Sequence, residues 1–162
     1  MPSVLFVCTA NLYRSPLAAA FLRDELKDTP GGTECVIDSA GTWTTTGAPI
    51  PSQTIEDAQR FGLDFRTHKS KQVTAGLLSR YDLILVMETG HKEALRIEFP
   101  DQSKKIYMLS EVVDQLKYDI PDPFTREGGY DRDVVNELHN VIKRGHKKIF
   151  AMAKKNSNKS TK

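Results

Sequence analysis

Short apolar segments rich in β-branched residues alternate along this chain with segments of helical periodicity. The pattern predicts strands at 3–8, 35–39, 83–87 and 105–108, and helices at 16–26, 52–61, 75–80, 90–99 and 130–152. Such alternation is typical of a parallel sheet with helices on both faces. Right-handed crossovers then place a ligand site beyond the carboxyl ends of the strands.

The length of 162 residues predicts one domain, which we expect to span residues 1–153. The last 20 residues hold eight of the 23 basic residues and no acid, so the body, with all 21 acidic residues, is mildly acidic. We expect residues 154–162 to form a basic, disordered tail. No aromatic residues are interleaved as in nucleic-acid-binding segments, so no nucleic-acid partner is expected.

Neither an apolar run long enough to span a membrane nor an export signal is visible, which favours a cytoplasmic location. The two cysteines, Cys8 and Cys35, are then expected to stay reduced. No pair of cysteines or histidines has the spacing of a zinc site, so no metal and no cofactor are expected.

The segment FVCTANLYRSP, residues 6–16, joins the first predicted strand to the first predicted helix. Ser15 is a candidate N-cap and Pro16 a candidate first helical residue. The helix then directs unpaired N–H groups and the positive end of its dipole at the preceding turn, which favours binding of an anion. Five residues separate Cys8 from Arg14, enough chain to curl around one tetrahedral anion.

Residue chemistry in this turn suits phosphoryl transfer to sulfur. Arg14 can bind two phosphate oxygens at once, and the positive field favours the thiolate form of Cys8, which is the nucleophilic form. Ser15 is expected to donate its hydroxyl to the sulfur. The backbone N–H groups of the turn are expected to surround the anion; the turn residues are Thr9, Ala10, Asn11, Leu12 and Tyr13. The alternative is a buried structural cysteine, because small buried cysteines are common.

The same segment resembles the catalytic loop of the low-molecular-weight protein tyrosine phosphatases. The resemblance extends to DSAGT at 38–42, THKSKQ at 67–72, YDLILVME at 81–88 and DPF at 122–124, and covers residues 3 to about 152. It implies a flavodoxin-like, three-layer α/β/α fold with a four-stranded parallel sheet in the order 2-1-3-4. It also implies a metal-independent tyrosine phosphatase that forms a cysteinyl-phosphate intermediate on Cys8.

Further site residues are implied by this resemblance. Asp122 corresponds to the family's general acid and base, although Asp-Pro is also an ordinary turn sequence and Asp119 lies three residues earlier. Phe124 corresponds to an aromatic wall of the pocket, and Trp43 follows DSAG where the family often has another wall residue. The position after Phe124, which is often aromatic in relatives, is Thr125.

A hydrogen-bond network beneath the loop is also implied. It would comprise Ser39 and His68 together with Asn11 and Ser15, and Asn11 suits a left-handed turn position. Ala10 stands where many relatives have glycine, and we expect a slightly stiffer loop. Tyr13 stands where many have a second cysteine, so oxidised Cys8 lacks a nearby partner for a protective disulfide.

Four functions follow from these residues. The leading prediction is a tyrosine phosphatase acting on phosphotyrosine proteins and small aryl phosphates, as a monomer or weak dimer. Leu12 favours it, because relatives that act on phosphoarginine tend to have threonine there. The alternatives are a phosphoarginine phosphatase, an arsenate reductase, which usually needs two further cysteines, and a phosphate-binding module without turnover.

Overall fold

A parallel sheet of four strands forms the centre of the molecule. The computed structural model describes residues 1 to 161, and its sheet has the order β2-β1-β3-β4. The strands are β1 (Ser3–Cys8), β2 (Val36–Gly41), β3 (Leu83–Val86) and β4 (Ile106–Met108). The helices are α1 (Arg14–Leu26), α2 (Ser52–Gln59), α3 (Ala75–Ser79), α4 (Thr89–Glu98), α5 (Leu109–Asp114) and α6 (Asp133–Ser160).

Helices cover both faces of this sheet, which confirms the predicted three-layer fold and strand order. Alternate residues of β1 point to opposite faces, so Val4 and Phe6 belong to the apolar cluster with α1 and α6, whereas Leu5 and Val7 belong to the cluster with α3 and α4. All six residues of β1 are buried. A strand covered on both faces is apolar throughout, which explains why its boundaries were predictable from sequence.

Helix boundaries differ from the sequence predictions at several positions. Helix α1 begins at Arg14, so Ser15 lies within its first turn and is not the N-cap. Pro16 is tolerated there because the first-turn N–H groups have no intrahelical partner. Helix α5 was not predicted from the sequence; it follows β4 directly, with no turn residue between them.

The C-terminal helix is longer than predicted. Helix α6 continues to Ser160, whereas the sequence predicted a helix ending at 152 and a disordered tail at 154–162. Ala153 is buried, and the side-chain amide of Asn156 donates to the Asp82 carbonyl at 3.0 Å, so the last turns are held against the sheet. Lys162 lies outside the described residues.

Candidate active site

The loop between β1 and α1 lies at the carboxyl edge of the sheet. Strand β1 pairs with β2 on one side and with β3 on the other, so the crossover from β1 to β2 and the crossover from β2 to β3 run in opposite directions across the sheet. A crevice forms at such a switch point, and ligands of open α/β sheets bind there. We call residues 8 to 14 the 8–14 loop. It begins at the last residue of β1 and ends at the first residue of α1.

Five carbonyl groups of the 8–14 loop face outward. The carbonyls of Cys8, Thr9 and Tyr13 accept from the N–H groups of Thr42, Trp43 and Leu17, in that order. The Leu12 carbonyl accepts from the Thr54 hydroxyl, and the Asn11 carbonyl accepts from the His68 imidazole. All peptide bonds in residues 1 to 161 are trans, so the N–H that follows each carbonyl points the opposite way. The N–H groups directed inward are those of Thr9, Ala10, Leu12, Tyr13 and Arg14.

Asn11 holds the turn of the loop. Its φ of 59° is left-handed, as expected for an asparagine at this position. Its buried side-chain amide donates to the hydroxyls of Ser15 and Ser39, both at 2.9 Å, and its Oδ1 accepts from the Lys71 N–H at 2.9 Å. The structure therefore brings together the side chains that were expected beneath the loop.

His68 contacts the backbone of the same asparagine. Its Nε2 lies 2.9 Å from the Asn11 carbonyl oxygen, which can only accept, so Nε2 carries the proton. Burial lowers the pKa of His68, and nearby Lys71 lowers it further, which favours the neutral ring. A neutral imidazole that donates one hydrogen bond fixes the loop without adding charge.

The sulfur of Cys8 lies at the base of the loop with 2% of the residue exposed. Its Sγ is 2.9 Å from the Ser15 hydroxyl. That hydroxyl already accepts from Asn11, so its own proton is available for the sulfur or for the Ala40 carbonyl at 3.3 Å. The contact with Ser15 places the sulfur at the positive N-terminal end of α1, and Arg14 lines the same cavity as Cys8.

Arg14 is anchored by two acceptors. Its Nη1 donates to Glu88 Oε1 at 2.8 Å and to the Ile120 carbonyl at 2.9 Å, and only 3% of the residue is exposed. Both of these bonds use Nη1, and Arg14 also lines the cavity described below. The carboxylate of Glu88 therefore fixes the guanidinium at the edge of the anion site.

His91 links the anchor of Arg14 to the loop. The Glu88 N–H donates to His91 Nδ1 at 3.2 Å, so the neutral ring carries its proton on Nε2 and donates to the Thr9 hydroxyl at 2.8 Å. Burial, followed by the charge of Arg14, lowers the pKa of His91 to about 4. The ring is therefore neutral at physiological pH.

A cavity of about 280 Å³ opens above the sulfur. Asp122 lines it together with Cys8 and Arg14, and the remaining lining residues are Ala10, Leu12, Tyr13, Pro51 and Phe124. Asp122 Oδ1 accepts from the Phe124 N–H at 3.0 Å. The competing Asp119 instead accepts from the N–H and hydroxyl of Thr89, and it does not line this cavity.

Trp43 does not join the cavity. The residue is 85% exposed, and its N–H supports the loop by donating to the Thr9 carbonyl at 3.0 Å. Phe124, by contrast, lines the cavity, and its ring packs edge-on against Tyr13 at a centroid distance of 5.7 Å. The aromatic neighbour that the sequence lacks at Thr125 is supplied by Tyr130, 5.3 Å from the Phe124 ring.

Residues of the site that were not predicted from sequence include Gly41, Pro51, Glu88, His91 and Tyr130. A Cβ at Gly41 would lie 2.5 Å from the Thr9 carbonyl oxygen, so only glycine fits beside the loop. DSAGT and YDLILVME contain Gly41 and Glu88, but neither motif indicates which loop atom its residue contacts.

Residues 1 to 161 contain no group of three or more potential metal-ligating His, Cys, Asp or Glu side chains in suitable positions. Within the same residues, no helix combines the length and apolar character needed to cross a bilayer.

Comparison with known proteins identifies relatives over nearly the whole chain. Residues 3–159 match the family model described as low molecular weight phosphotyrosine protein phosphatase. A probable low molecular weight protein-tyrosine-phosphatase, EpsP of Ralstonia nicotianae, is 34% identical over 77% of this chain and 80% of its own. A protein-arginine-phosphatase of Geobacillus stearothermophilus is 32% identical over 90% of this chain and 95% of its own. The solved structure of Vibrio vulnificus Wzb in complex with benzylphosphonate has a TM-score of 0.74 and 31% identity, and the match covers 95% of this chain and 98% of that one.

Proposed function

The chain belongs to the low molecular weight protein-tyrosine-phosphatase family, and on this basis we propose that it hydrolyses phosphotyrosine and small aryl phosphates through a cysteinyl-phosphate intermediate. One observation carries the proposal: Cys8, Arg14 and Asp122 line the same cavity. Five carbonyl groups of the adjacent 8–14 loop are bonded to partners outside the loop.

Substrate binding uses the 8–14 loop. The inward N–H groups and the Arg14 guanidinium surround the three terminal oxygens of the phosphoryl group. Because Glu88 and the Ile120 carbonyl hold Nη1 of Arg14, the guanidinium is oriented before substrate arrives. Donors fixed in this way stabilise the charge on the equatorial oxygens in the transition state.

In the first step the Cys8 thiolate attacks phosphorus and the bond to the tyrosyl oxygen breaks. Asp122, in its protonated form, gives its proton to the departing oxygen, so tyrosine leaves neutral. In the second step the Asp122 carboxylate takes a proton from water, the water oxygen attacks phosphorus, and the sulfur leaves as thiolate. Inorganic phosphate is released, and both residues return to their starting forms.

Ser15 and the residues beneath the loop support the sulfur through both steps. The Ser15 hydroxyl, 2.9 Å from Sγ, donates to the thiolate when it leaves. Asn11, Ser39 and His68 hold that hydroxyl and the turn in place. We assign these three residues a positioning role, since their hydrogen bonds end on the loop and not in the cavity.

An aryl substrate suits the walls of the cavity better than phosphoarginine does. Leu12, Pro51 and Phe124 present apolar surface to the group that carries the phosphate. A guanidinium would need several acceptors there, and Asp122 is the only acidic side chain among the lining residues. The similarity to a protein-arginine-phosphatase makes phosphoarginine the alternative substrate to be tested.

Arsenate reduction is disfavoured by the position of Cys35. Cys8 is in register with Gly41 at one end of β2, whereas Cys35 precedes Val36 at the other end, roughly 20 Å away at strand spacing. Burial, followed by the charge of Asp82, raises the pKa of Cys35 to about 11, so it is a poor nucleophile at neutral pH.

We also propose a cytoplasmic location, where the sulfur of Cys8 stays reduced, and a monomer or weak dimer.

The deciding experiment compares two aspartates three residues apart. Asp122→Asn is expected to lower kcat for phenyl phosphate by about 10²- to 10⁴-fold, whereas Asp119→Asn, the matched control, stays close to wild type. Cys8→Ser is expected to abolish turnover and retain vanadate or phosphate binding. Equal effects of the two aspartate variants, or wild-type turnover by Cys8→Ser, would refute the assignment. Matched phosphotyrosine and phosphoarginine peptides identify the substrate class.

A further inference from the structure

Three side chains beside the cavity form a hydrogen-bonded chain that the proposed chemistry does not use. The Tyr13 hydroxyl donates to Asp57 Oδ2 at 2.6 Å and lies 2.9 Å from the Tyr130 hydroxyl. The chain joins the 8–14 loop, helix α2 and the segment that follows Asp122. We propose that Tyr130 is a positioning residue that holds the Asp122 segment over the 8–14 loop; this inference rests on the proposed function.

The direction of each hydrogen bond follows from the buried carboxylate. Asp57 is 2% exposed and forms an ion pair with Arg60 at 2.8 Å, so it only accepts. Burial, followed by the hydrogen bond to Asp57, raises the pKa of Tyr13 well above its usual value. The single proton of Tyr13 is thus committed to Asp57, and Tyr130 must donate to the Tyr13 oxygen.

Tyr130 is mechanically connected to Asp122 through a short hairpin. Phe124 and Tyr130 form an antiparallel bridge, and the Asp131 N–H donates to the Pro123 carbonyl at 2.8 Å. The turn is closed by the Thr125 N–H, which donates to the Gly129 carbonyl at 2.9 Å. Displacement of Tyr130 is therefore transmitted to the residues next to Asp122.

Aromatic packing completes the connection. The Phe124 ring contacts both tyrosines, with centroids 5.7 Å from Tyr13 and 5.3 Å from Tyr130. The Phe124 N–H in turn donates to the Asp122 carboxylate, which fixes its direction. The rings of Tyr13 and Tyr130 also pack edge to face, with centroids 6.1 Å apart. The hydroxyl bond from Tyr130 to Tyr13 adds a directional link between this cluster and the buried Asp57.

Tyr130→Phe tests the proposal because it keeps the ring and removes the hydroxyl. A lost hydrogen bond corresponds to about a three- to tenfold effect. We expect this loss in kcat for phenyl phosphate, whose leaving group needs the proton, and a smaller loss for para-nitrophenyl phosphate. Vanadate inhibition should change less than twofold, because the anion site is untouched. The matched control is Tyr118→Phe, which removes a hydroxyl bonded to Asp114, a carboxylate that is likewise paired with an arginine.

A double-mutant cycle separates positioning of Asp122 from general destabilisation. In an Asp122→Asn background, Tyr130→Phe is expected to have no further effect on kcat. Equal losses for both substrates, the same loss in Tyr118→Phe, or an undiminished loss in the Asp122→Asn background would overturn the proposal. Turnover of the two aryl phosphates by the wild-type protein tests the proposed function, whereas the ratio of kcat in Tyr130→Phe to kcat in the wild type tests the role of Tyr130. A failure of the proposed function is therefore distinguishable from a failure of the role assigned to Tyr130.

Discussion

Replacing Asn11 with alanine removes the side chain on which the 8–14 loop depends. Three side-chain hydrogen bonds are lost, to Ser15, Ser39 and the Lys71 N–H, all at 2.9 Å. Each contributes about 1 kcal/mol net to the free energy of unfolding. Alanine in the left-handed conformation, with φ at 59°, adds about 1 kcal/mol of strain. The expected destabilisation is therefore about 4 kcal/mol, a large part of the roughly 5 to 15 kcal/mol that holds a domain folded.

The strain and the hydrogen bonds can be measured separately with a second variant. Asn11→Gly loses the same three bonds but adopts a positive φ without strain. After its greater unfolded-chain entropy of about 0.4 to 1 kcal/mol is subtracted from the strain of about 1 kcal/mol, it should be up to about 0.6 kcal/mol more stable than Asn11→Ala. Urea unfolding of both variants measures the difference, and turnover of para-nitrophenyl phosphate follows the loop itself.

Two results would refute this account of Asn11. A loss below about 1.5 kcal/mol in Asn11→Ala would mean that the buried network contributes less than its bond count implies. A glycine variant less stable than the alanine variant would mean that the left-handed conformation is not retained in solution.

Three further predictions concern residues around the loop. Glu88→Ala removes one of the two acceptors that anchor Arg14 and is expected to lower kcat/KM for aryl phosphates about tenfold, with Glu93→Ala as the control. The pKa of His91 is lowered to about 4 in the folded protein, so on acidification this histidine takes up its proton in the unfolded chain before it does so in the folded one. The free energy of unfolding should therefore fall by up to about 3 kcal/mol as pH drops from about 6.5 to 4. Urea unfolding measures this loss, and His91→Gln should remove it. Gly41→Ala forces a Cβ to 2.5 Å from the Thr9 carbonyl oxygen and should lower the free energy of unfolding by about 1 to 3 kcal/mol, with a parallel loss of turnover. Wild-type behaviour of any of these three variants would contradict the contact that it tests.

Strands β1, β3 and β4 were predictable because each is nearly continuous in apolar residues, whereas β2 (VIDSAG) contains polar residues and was predicted at 35–39 instead of Val36–Gly41. β1 was predicted with its observed bounds, and β3 and β4 differ from prediction by one residue each. Local signals were less informative at helix ends, since Ser15 resembles an N-cap in sequence yet bonds to Cys8 and Asn11 in the fold. The basic C-terminal residues resemble a disordered tail, because the contact of Asn156 with Asp82 is not visible in local sequence.

The sequence alone determined the parallel sheet, the anion-binding turn and its nucleophile, because hydrophobic periodicity and the Cys-x5-Arg-Ser-Pro segment act through neighbours along the chain. Only the tertiary structure decided how Arg14 is held, which hydroxyl His91 contacts and what ties Tyr130 to Tyr13. These contacts join residues 74, 82 and 117 positions apart, and no local pattern specifies which distant side chains meet. They are set by the packing of whole strands and helices, which brings the carboxyl ends of β1 and β3 and the hairpin after Asp122 to one edge of the sheet.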